Sequence, residues 1–357
     1  MSIEVTFDDN YWDQMNDTAY HNHTLYVVDP MTLRCDIKPL DPIAAVIMSI
    51  ILIMIFLLAI PGNLLVGWVI GTSRQSLTPS DVYLLHLTIA DGLMALTLPF
   101  WSAALVQGWL FRDFMCKLLS LIIEANFYTS ILFLACISID RYLVIVHASQ
   151  TLKSRQRMCS WLVCAAVWAL GVALALPALF NDAFKFGESD RMVCTERFDL
   201  GKPSSWRIAT RGFRHIFGFL LPVSVMITCY SITIARLLRT RGFQKHRAMR
   251  VIIAVVIAFL LCWMPYHLTM MVDTLLRADL ISSNCAMRRS VDMALVITNS
   301  LALLHSCINP VLYAFVGEKF RKNMQLLFLR KVRHERMSGS KISRSTSQTS
   351  EGTGAVL

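Results

Sequence analysis

Charge is what this sequence lacks. Only 16% of its 357 residues are charged while 55% are hydrophobic, a balance that excludes an ordinary soluble domain of this length. The scarcity is patterned. No Asp, Glu, Lys or Arg falls between Asp41 and Arg74, between Arg157 and Asp182, between Arg250 and Asp273, or between Asp292 and Glu318. Each gap meets the need for about 20 apolar residues to cross a hydrocarbon core about 30 Å thick. Three further apolar blocks, roughly 82–106, 114–146 and 213–235, carry isolated ionisable groups: Asp91, then Glu124 with the adjacent Asp140 and Arg141, then Arg214. The expected architecture is an all-α membrane protein, a seven-transmembrane-helix bundle over residues 43–316.

Other absences narrow the function. Repeated halves with matching broken helices are not found, which speaks against a transporter. The nine histidines include no HExxH, and no Ser or Cys sits in a nucleophile motif, so an intramembrane enzyme is not expected. No cleavable leader precedes the acidic amino-terminal stretch, so the first span is expected to direct insertion itself. No cysteine follows Cys307, which leaves the segment GEKFRKNMQLLFLRKV without a palmitoyl anchor. Its apolar residues interleaved with Lys and Arg predict an amphipathic helix over 317–333, lying on anionic membrane lipid.

The charges that are present orient the chain. Residues 1–42 hold eight acids against Arg34 and Lys38, whereas Arg236 to Arg250 holds six bases and no acid. The positive-inside bias therefore places the amino terminus outside the cell and the carboxyl tail in the cytoplasm. The formal net charge of +10 belongs to the cytoplasmic face and does not point to nucleic acid. Asn16 and Asn22 begin glycosylation sequons, which are useful only outside. Of ten cysteines, Cys35, Cys116, Cys194 and Cys285 fall outside, where an oxidising compartment favours two disulfides with three possible pairings.

Polar residues inside the spans are the next signal, because each is costly in hydrocarbon and usually faces a bundle interior. Asp91 stands on the second span, Asn63 on the first, Asn126 and Ser130 four apart on the third, and His305 and Asn309 four apart on the seventh. A carboxylate with such partners can hold a cation, switch by protonation, or serve as a static hydrogen-bonded clamp; spacing alone leaves these open. Pro61, Pro99, Pro177, Pro222, Pro265 and Pro310 each remove a backbone donor within a span and can bend it.

Five short stretches, one per expected span and in order, carry a family resemblance: GNLLV (62–66), LTIAD (87–91), DRYLVIV (140–146), CWMP (262–265) and NPVLY (309–313). Together they resemble the signature set of rhodopsin-like G-protein-coupled receptors. TLPFW (97–101), DRYLVIVHA, HSCINPVLYAF (305–315) and the extra cysteine pair resemble chemokine receptors. QKHRAMRVI (244–252), LLCWMPY (260–266) and the pattern at Trp206, Arg207 and Arg211 most resemble the interleukin-8 branch of the CXC chemokine receptors. The likeness covers roughly residues 35–330.

The resemblance implies a receptor for CXC chemokines bearing a Glu-Leu-Arg triplet, coupled to heterotrimeric G proteins of the inhibitory class, driving calcium release and chemotaxis at the plasma membrane. A non-signalling scavenger is the nearest alternative, although such receptors usually have a damaged DRYLVIV. Disulfides Cys116–Cys194 and Cys35–Cys285 are implied. Ligand contacts fall on Tyr11, Trp101, Arg207, Arg211 and Asp273. Asp140, Arg141 and Tyr142 would meet the G protein, with Arg141 paired to Asp140 while the bundle is closed. Ile131, Pro222, Phe259 and Trp263 would transmit, and Tyr230 and Tyr313 would stabilise the open cytoplasmic face. Asp91, Asn126, Ser130 and Asn309 resemble a sodium pocket, and no other cofactor is implied. One departure stands out: Asn299 occupies a seventh-span position where the branch usually carries an acid. The polar tail over 334–357 offers Ser343, Ser345, Thr346, Ser347, Thr349 and Ser350 to receptor kinases, and its phosphorylated form would suit arrestin.

Overall fold

The computed structural model describes residues 40–72, 77–146, 153–185, 191–197, 203–239, 243–278, 280–282, 284–316 and 324–325. Seven helices there are long and apolar enough to cross a membrane: Pro42–Gly71, Pro79–Gln107, Arg112–Val146, Cys159–Phe180, Ser205–Arg236, Val256–Arg277 and Cys285–Leu312. The seven expected spans are all present. The acidic segment 1–39, the sequons, Tyr11, Cys35 and the Ser/Thr tail lie outside the described residues, as does all but 324–325 of the expected amphipathic helix.

Local chemistry sets the helix starts. Pro42 occupies the first turn of the first span, where its missing N–H costs nothing, and the Asp41 carboxylate accepts from the Ile43 and Ala44 amides at 3.0 and 3.3 Å. Thr78 and Asp81 form a reciprocal capping box at the start of the second. The third and sixth spans are the most enclosed, 44% of their apolar windows being buried against 28% for the first, fourth and fifth. They form the axis of the bundle. Outer faces such as Ile43, Leu64, Leu162 and Leu261 stay exposed and suit a lipid solvent.

Prolines shape the spans differently from one another. Pro61 and Pro265 sit inside unbroken helices. The second span breaks after Ala95 and restarts at Leu98, with Pro99 in its new first turn. Pro177 opens a 3-10 turn over Leu176–Phe180. Ahead of Pro222 the fifth span widens into a π turn over Ile216–Leu220, so that Leu221 N–H reaches back to Ile216. Gly218 belongs to that turn, and a Cβ there would come within 2.3 Å of the Phe127 ring. The missing side chain lets the third and fifth spans close around that aromatic.

A two-stranded hairpin follows the fourth span and was not legible in the sequence. β1 (Asn181–Lys185) pairs antiparallel with β2 (Met192–Glu196), Ala183 opposite Cys194. Five-residue strands carry too little periodicity to stand out, and side-chain ties hold this pair. Cys194 is disulfide-bonded to Cys116 at the head of the third span. Lys117 reaches Asp113, Asp182 and the Asn181 carbonyl, Ala183 N–H donates to Asp113, and Trp109 N–H donates to Met192 O at 2.8 Å. Gly108 makes that last contact possible: its φ of +83° suits glycine, and a Cβ would lie 2.7 Å from Arg191 and 3.0 Å from the Met192 carbonyl.

Candidate functional site

At the hairpin end, charged side chains from four elements meet. Arg211 Nη1 donates to Asp273 Oδ2 at 2.6 Å and to Thr274 Oγ1 at 3.2 Å, and its Nε lies 3.5 Å from Glu196 of β2. Arg277 Nε fills the other Asp273 oxygen at 2.7 Å, and its Nη2 donates to Asp292 on the seventh span at 2.8 Å. Asp273 is thus held between two guanidiniums, its side chain 4% exposed. Arg207 stands one turn further out than Arg211 on the same helix face. Trp101 on the second span packs instead against Trp109, ring centroids 5.1 Å apart. Asn299 is exposed and takes no part in the network. The expected Arg211–Asp273 neighbourhood exists, but Arg277, Asp292 and Glu196 complete it. Arg277 stands four residues after Asp273, a spacing that puts the two on one helix face, whereas nothing in the chain spacing links Asp292 or Glu196 to them.

Below the rim lies a second charged pair. Glu124 on the third span and Arg214 on the fifth form an ion pair, and the guanidinium also lies over the rings of Phe127 (4.9 Å) and Tyr266 (5.2 Å). Beside it His215 and His267 meet Nδ1 to Nδ1 at 2.8 Å. Sequence reasoning marks Glu124 and Arg214 as solitary groups; that they are partners depends on how two spans pack.

An aromatic column continues inwards. Phe127 touches Trp263 with centroids 4.6 Å apart, and Trp263 lies near Phe259 (5.9 Å) and His305 (5.4 Å). Trp263, Phe259 and Ile131 are each 1% exposed or less. Pro222 is buried as well.

Asp91 is fully buried and gathers the polar residues expected around it. Ser130 donates to Oδ1 at 3.1 Å, Asn126 to Oδ1 at 3.5 Å and Asn309 to Oδ2 at 2.8 Å. His305 also approaches, its Nε2 at 3.3 Å from Oδ1 and its Nδ1 at 2.7 Å from the Ala302 carbonyl. The Asn126 Oδ1 is buried with no partner. An orphan carbonyl oxygen, a hydroxyl and a carboxylate form an oxygen set that fits a hard cation such as sodium. Nearby, Asn63 clamps the first span to the seventh through the Ser306 carbonyl at 2.8 Å.

At the far end of the third span one expectation is corrected. Asp140 and Arg141 form no ion pair. Adjacent residues on a helix do not face each other, so the two side chains diverge. Asp140 instead accepts from the Ser80 hydroxyl on the second span, and the buried Arg141 Nε lacks a hydrogen-bond partner. The Ser138 hydroxyl meets the Tyr230 phenol at 2.7 Å and ties the third span to the fifth. Tyr142 is partnered. The Tyr313 side chain lies outside the described residues.

Cys285 is disulfide-bonded, while Cys136, Cys159, Cys164, Cys229, Cys262 and Cys307 are free thiols. Its implied partner, Cys35, lies outside the described residues.

Residues 62–313 match the 7 transmembrane receptor (rhodopsin family). The chain is 46% identical over 276 residues to a C-X-C chemokine receptor type 2 of Homo sapiens, covering 77% of this chain and 76% of that one. It is 48% identical over 270 residues to a C-X-C chemokine receptor type 1 of Homo sapiens, covering 75% and 76% respectively. Against a C-X-C chemokine receptor type 1 of Oryctolagus cuniculus the identity is 47% over 277 residues, 77% of each chain.

Proposed function

Since the chain belongs to the rhodopsin family of seven-transmembrane receptors, and within it to the CXC chemokine receptors of the interleukin-8 receptor branch, we propose that it binds Glu-Leu-Arg chemokines outside the cell and activates inhibitory G proteins within. It is a receptor in the plasma membrane and not an enzyme. The observation that carries the ligand reading is the arginine-rich network of Arg211, Arg277 and Asp273, which bridges the fifth and sixth spans above the Glu124–Arg214 pair and the aromatic column that runs from Phe127 through Trp263. A ligand acid that competes with Asp273 and Glu196 for Arg207 and Arg211 would loosen that bridge. The acidic amino-terminal segment, with Tyr11 among acids, would capture the basic body of the chemokine and raise its rate of association.

Signal would leave at the opposite end. Arg141 lies 25 residues beyond Cys116 on one helix, about 37 Å away. An outward swing of the sixth span about Pro265 would open the surface around it to the carboxyl-terminal helix of a G-protein α subunit. Phosphorylation of the tail at Ser343, Ser345, Thr346, Ser347, Thr349 and Ser350 would then favour arrestin.

The test is a chemokine panel on cells expressing the receptor, reading calcium release with and without a toxin that blocks inhibitory G proteins. Toxin-sensitive calcium release by Glu-Leu-Arg chemokines is expected. Uptake of chemokine with no calcium release would establish the scavenger reading instead.

A sodium ion held by Asp91, Ser130, Asn126 and Asn309 would tie the second, third and seventh spans together and favour the closed bundle. Replacing sodium in the medium with a large organic cation is therefore expected to raise agonist affinity severalfold in the wild type. Asp91→Asn should abolish that sensitivity, and persistence of the full effect in the mutant would remove sodium from this site.

A further inference from the structure

Arg207, Arg211 and Arg214 recur at i, i+4 and i+7 and descend one face of the fifth span. Arg214 sits about 4.5 Å further along the axis than Arg211. The two levels differ in how their acids are used. Both oxygens of Asp273 are taken, one by Arg211 and one by Arg277. Glu124 spends one oxygen, Oε1, on Arg214; among the described residues the other has no partner, and the side chain keeps 20% of its surface exposed. On its partner, Arg214 Nε is buried without a hydrogen-bond partner, and so is Nε2 of the 4% exposed His267, whose ring lies 5.5 Å from that of Phe127 under the same guanidinium. Unmet polar groups at a partly open carboxylate deep inside a bundle are costly unless something that binds there meets them.

We propose that Glu124 is the acceptor for a cationic group on the amino-terminal segment of the ligand. The free oxygen takes an ammonium or guanidinium while Oε1 keeps Arg214, the same two-cation arrangement that Asp273 already holds at the rim. Arg214 stays over Phe127 and Tyr266, and its free Nε–H donates to a backbone carbonyl of the same ligand segment. Phe127 touches Trp263, so a ligand seated on Glu124 bears directly on the buried column. The assignment rests on the chemokine-receptor reading; Asp273, the one acid among the expected ligand contacts, has both oxygens taken, whereas Glu124 has one free for a ligand cation.

The cation can come from the free amino terminus of the chemokine or from an arginine near it, and three forms of one probe separate the sources. Interleukin-8 is prepared native, acetylated at its amino terminus, and with its first arginine replaced by neutral citrulline. Each is assayed for binding and calcium release on full-length wild type and on Glu124→Gln at matched surface density. Glu124→Gln is expected to lower the potency of the native form at least about tenfold. The modification that removes the cation should cost the wild type a similar factor and cost Glu124→Gln less than about twofold, since the two lesions then act on one contact. Equal penalties in wild type and mutant for both modified forms overturn the proposal. Should Gln leave Arg214 unpaired and the receptor off the surface, Glu124→Gln with Arg214→Gln removes both charges and is judged by the same criterion. A wild type that neither binds nor answers any CXC chemokine overturns the receptor reading and this proposal with it. Unequal binding with equal penalties overturns the proposal alone.

Discussion

Cys116→Ala and Cys194→Ala are each expected to reduce chemokine binding below detection, with a smaller loss of protein at the surface. The bond closes a loop with a sequence separation of 78, for which chain entropy gives about 4.5 kcal/mol in a freely unfolding chain. Much of that loop is two spanning helices that lipid keeps helical, so the benefit to global stability is smaller. The local consequence is larger. Cys194 anchors β2, and two residues on Glu196 approaches Arg211 at 3.5 Å. Freed from the disulfide, the hairpin keeps the packing of Ala183 and Met192 on the cluster of Trp109 and Leu119, and a set of polar ties: Trp109 N–H to Met192 O, Asp113 to Ala183, Lys117 to Asp182, and Arg191 to the Ala104 and Leu105 carbonyls. The polar ties are exposed or partly so and add little each. The measurement is chemokine binding against an epitope-tag surface count; near-normal binding in either mutant would show that the packing and polar ties suffice.

The bundle was legible because its code is one-dimensional. A gap in charge such as that from Asp41 to Arg74 needs no knowledge of any neighbour, and it reappears as the helix Pro42–Gly71. The buried Asp91 cluster was nearly as plain, since Asn126 with Ser130 and His305 with Asn309 each share a helix face by spacing alone. What spacing cannot reveal is a pairing between faces. Glu124 and Arg214 are 90 residues apart and look like two separate penalties until their spans pack together. Asp140 and Arg141 mislead in the opposite way: adjacency in the chain suggests a pair, and helix geometry separates them. Arg277 ends its helix and Asp292 borders a charge-free gap, places where charge is ordinary. Only the four-residue spacing from Asp273 to Arg277 marked one of these pairs, and the tie from Arg277 to Asp292 needs two spans packed together. The hairpin was hidden for another reason, its five-residue strands being fixed by a disulfide and side-chain ties rather than by an apolar pattern.

Asp273→Ala is expected to be the most damaging single change at the rim, and by a route that separates two roles for this acid. In the wild type its carboxylate neutralises Arg211, 13% exposed, and Arg277, 35% exposed. Removal strands both, and breaking a buried pair costs about 3–5 kcal/mol when nothing else compensates. Here Glu196 and Asp292 remain close, so a loss of about 2 kcal/mol is the better expectation. Arg211→Ala should cost less, because Asp273 keeps Arg277. The double mutant should then fall short of the sum of the two by about 1 kcal/mol or more, as residues sharing one network do. Thermal unfolding of the detergent-solubilised receptor measures this part. Since the bridge joins the fifth span to the sixth, its loss should also raise ligand-free signalling, which toxin-sensitive calcium release measures. The decisive comparison is with modified chemokine. If Asp273 is a lock between spans, acetylated or citrulline-bearing interleukin-8 should suffer the same penalty on Asp273→Ala as on the wild type, because the cation is received at Glu124. If the penalty vanishes on Asp273→Ala and persists on Glu124→Gln, then Asp273 is the acceptor after all, and Arg211 and Arg277 must give way to the ligand for it to bind.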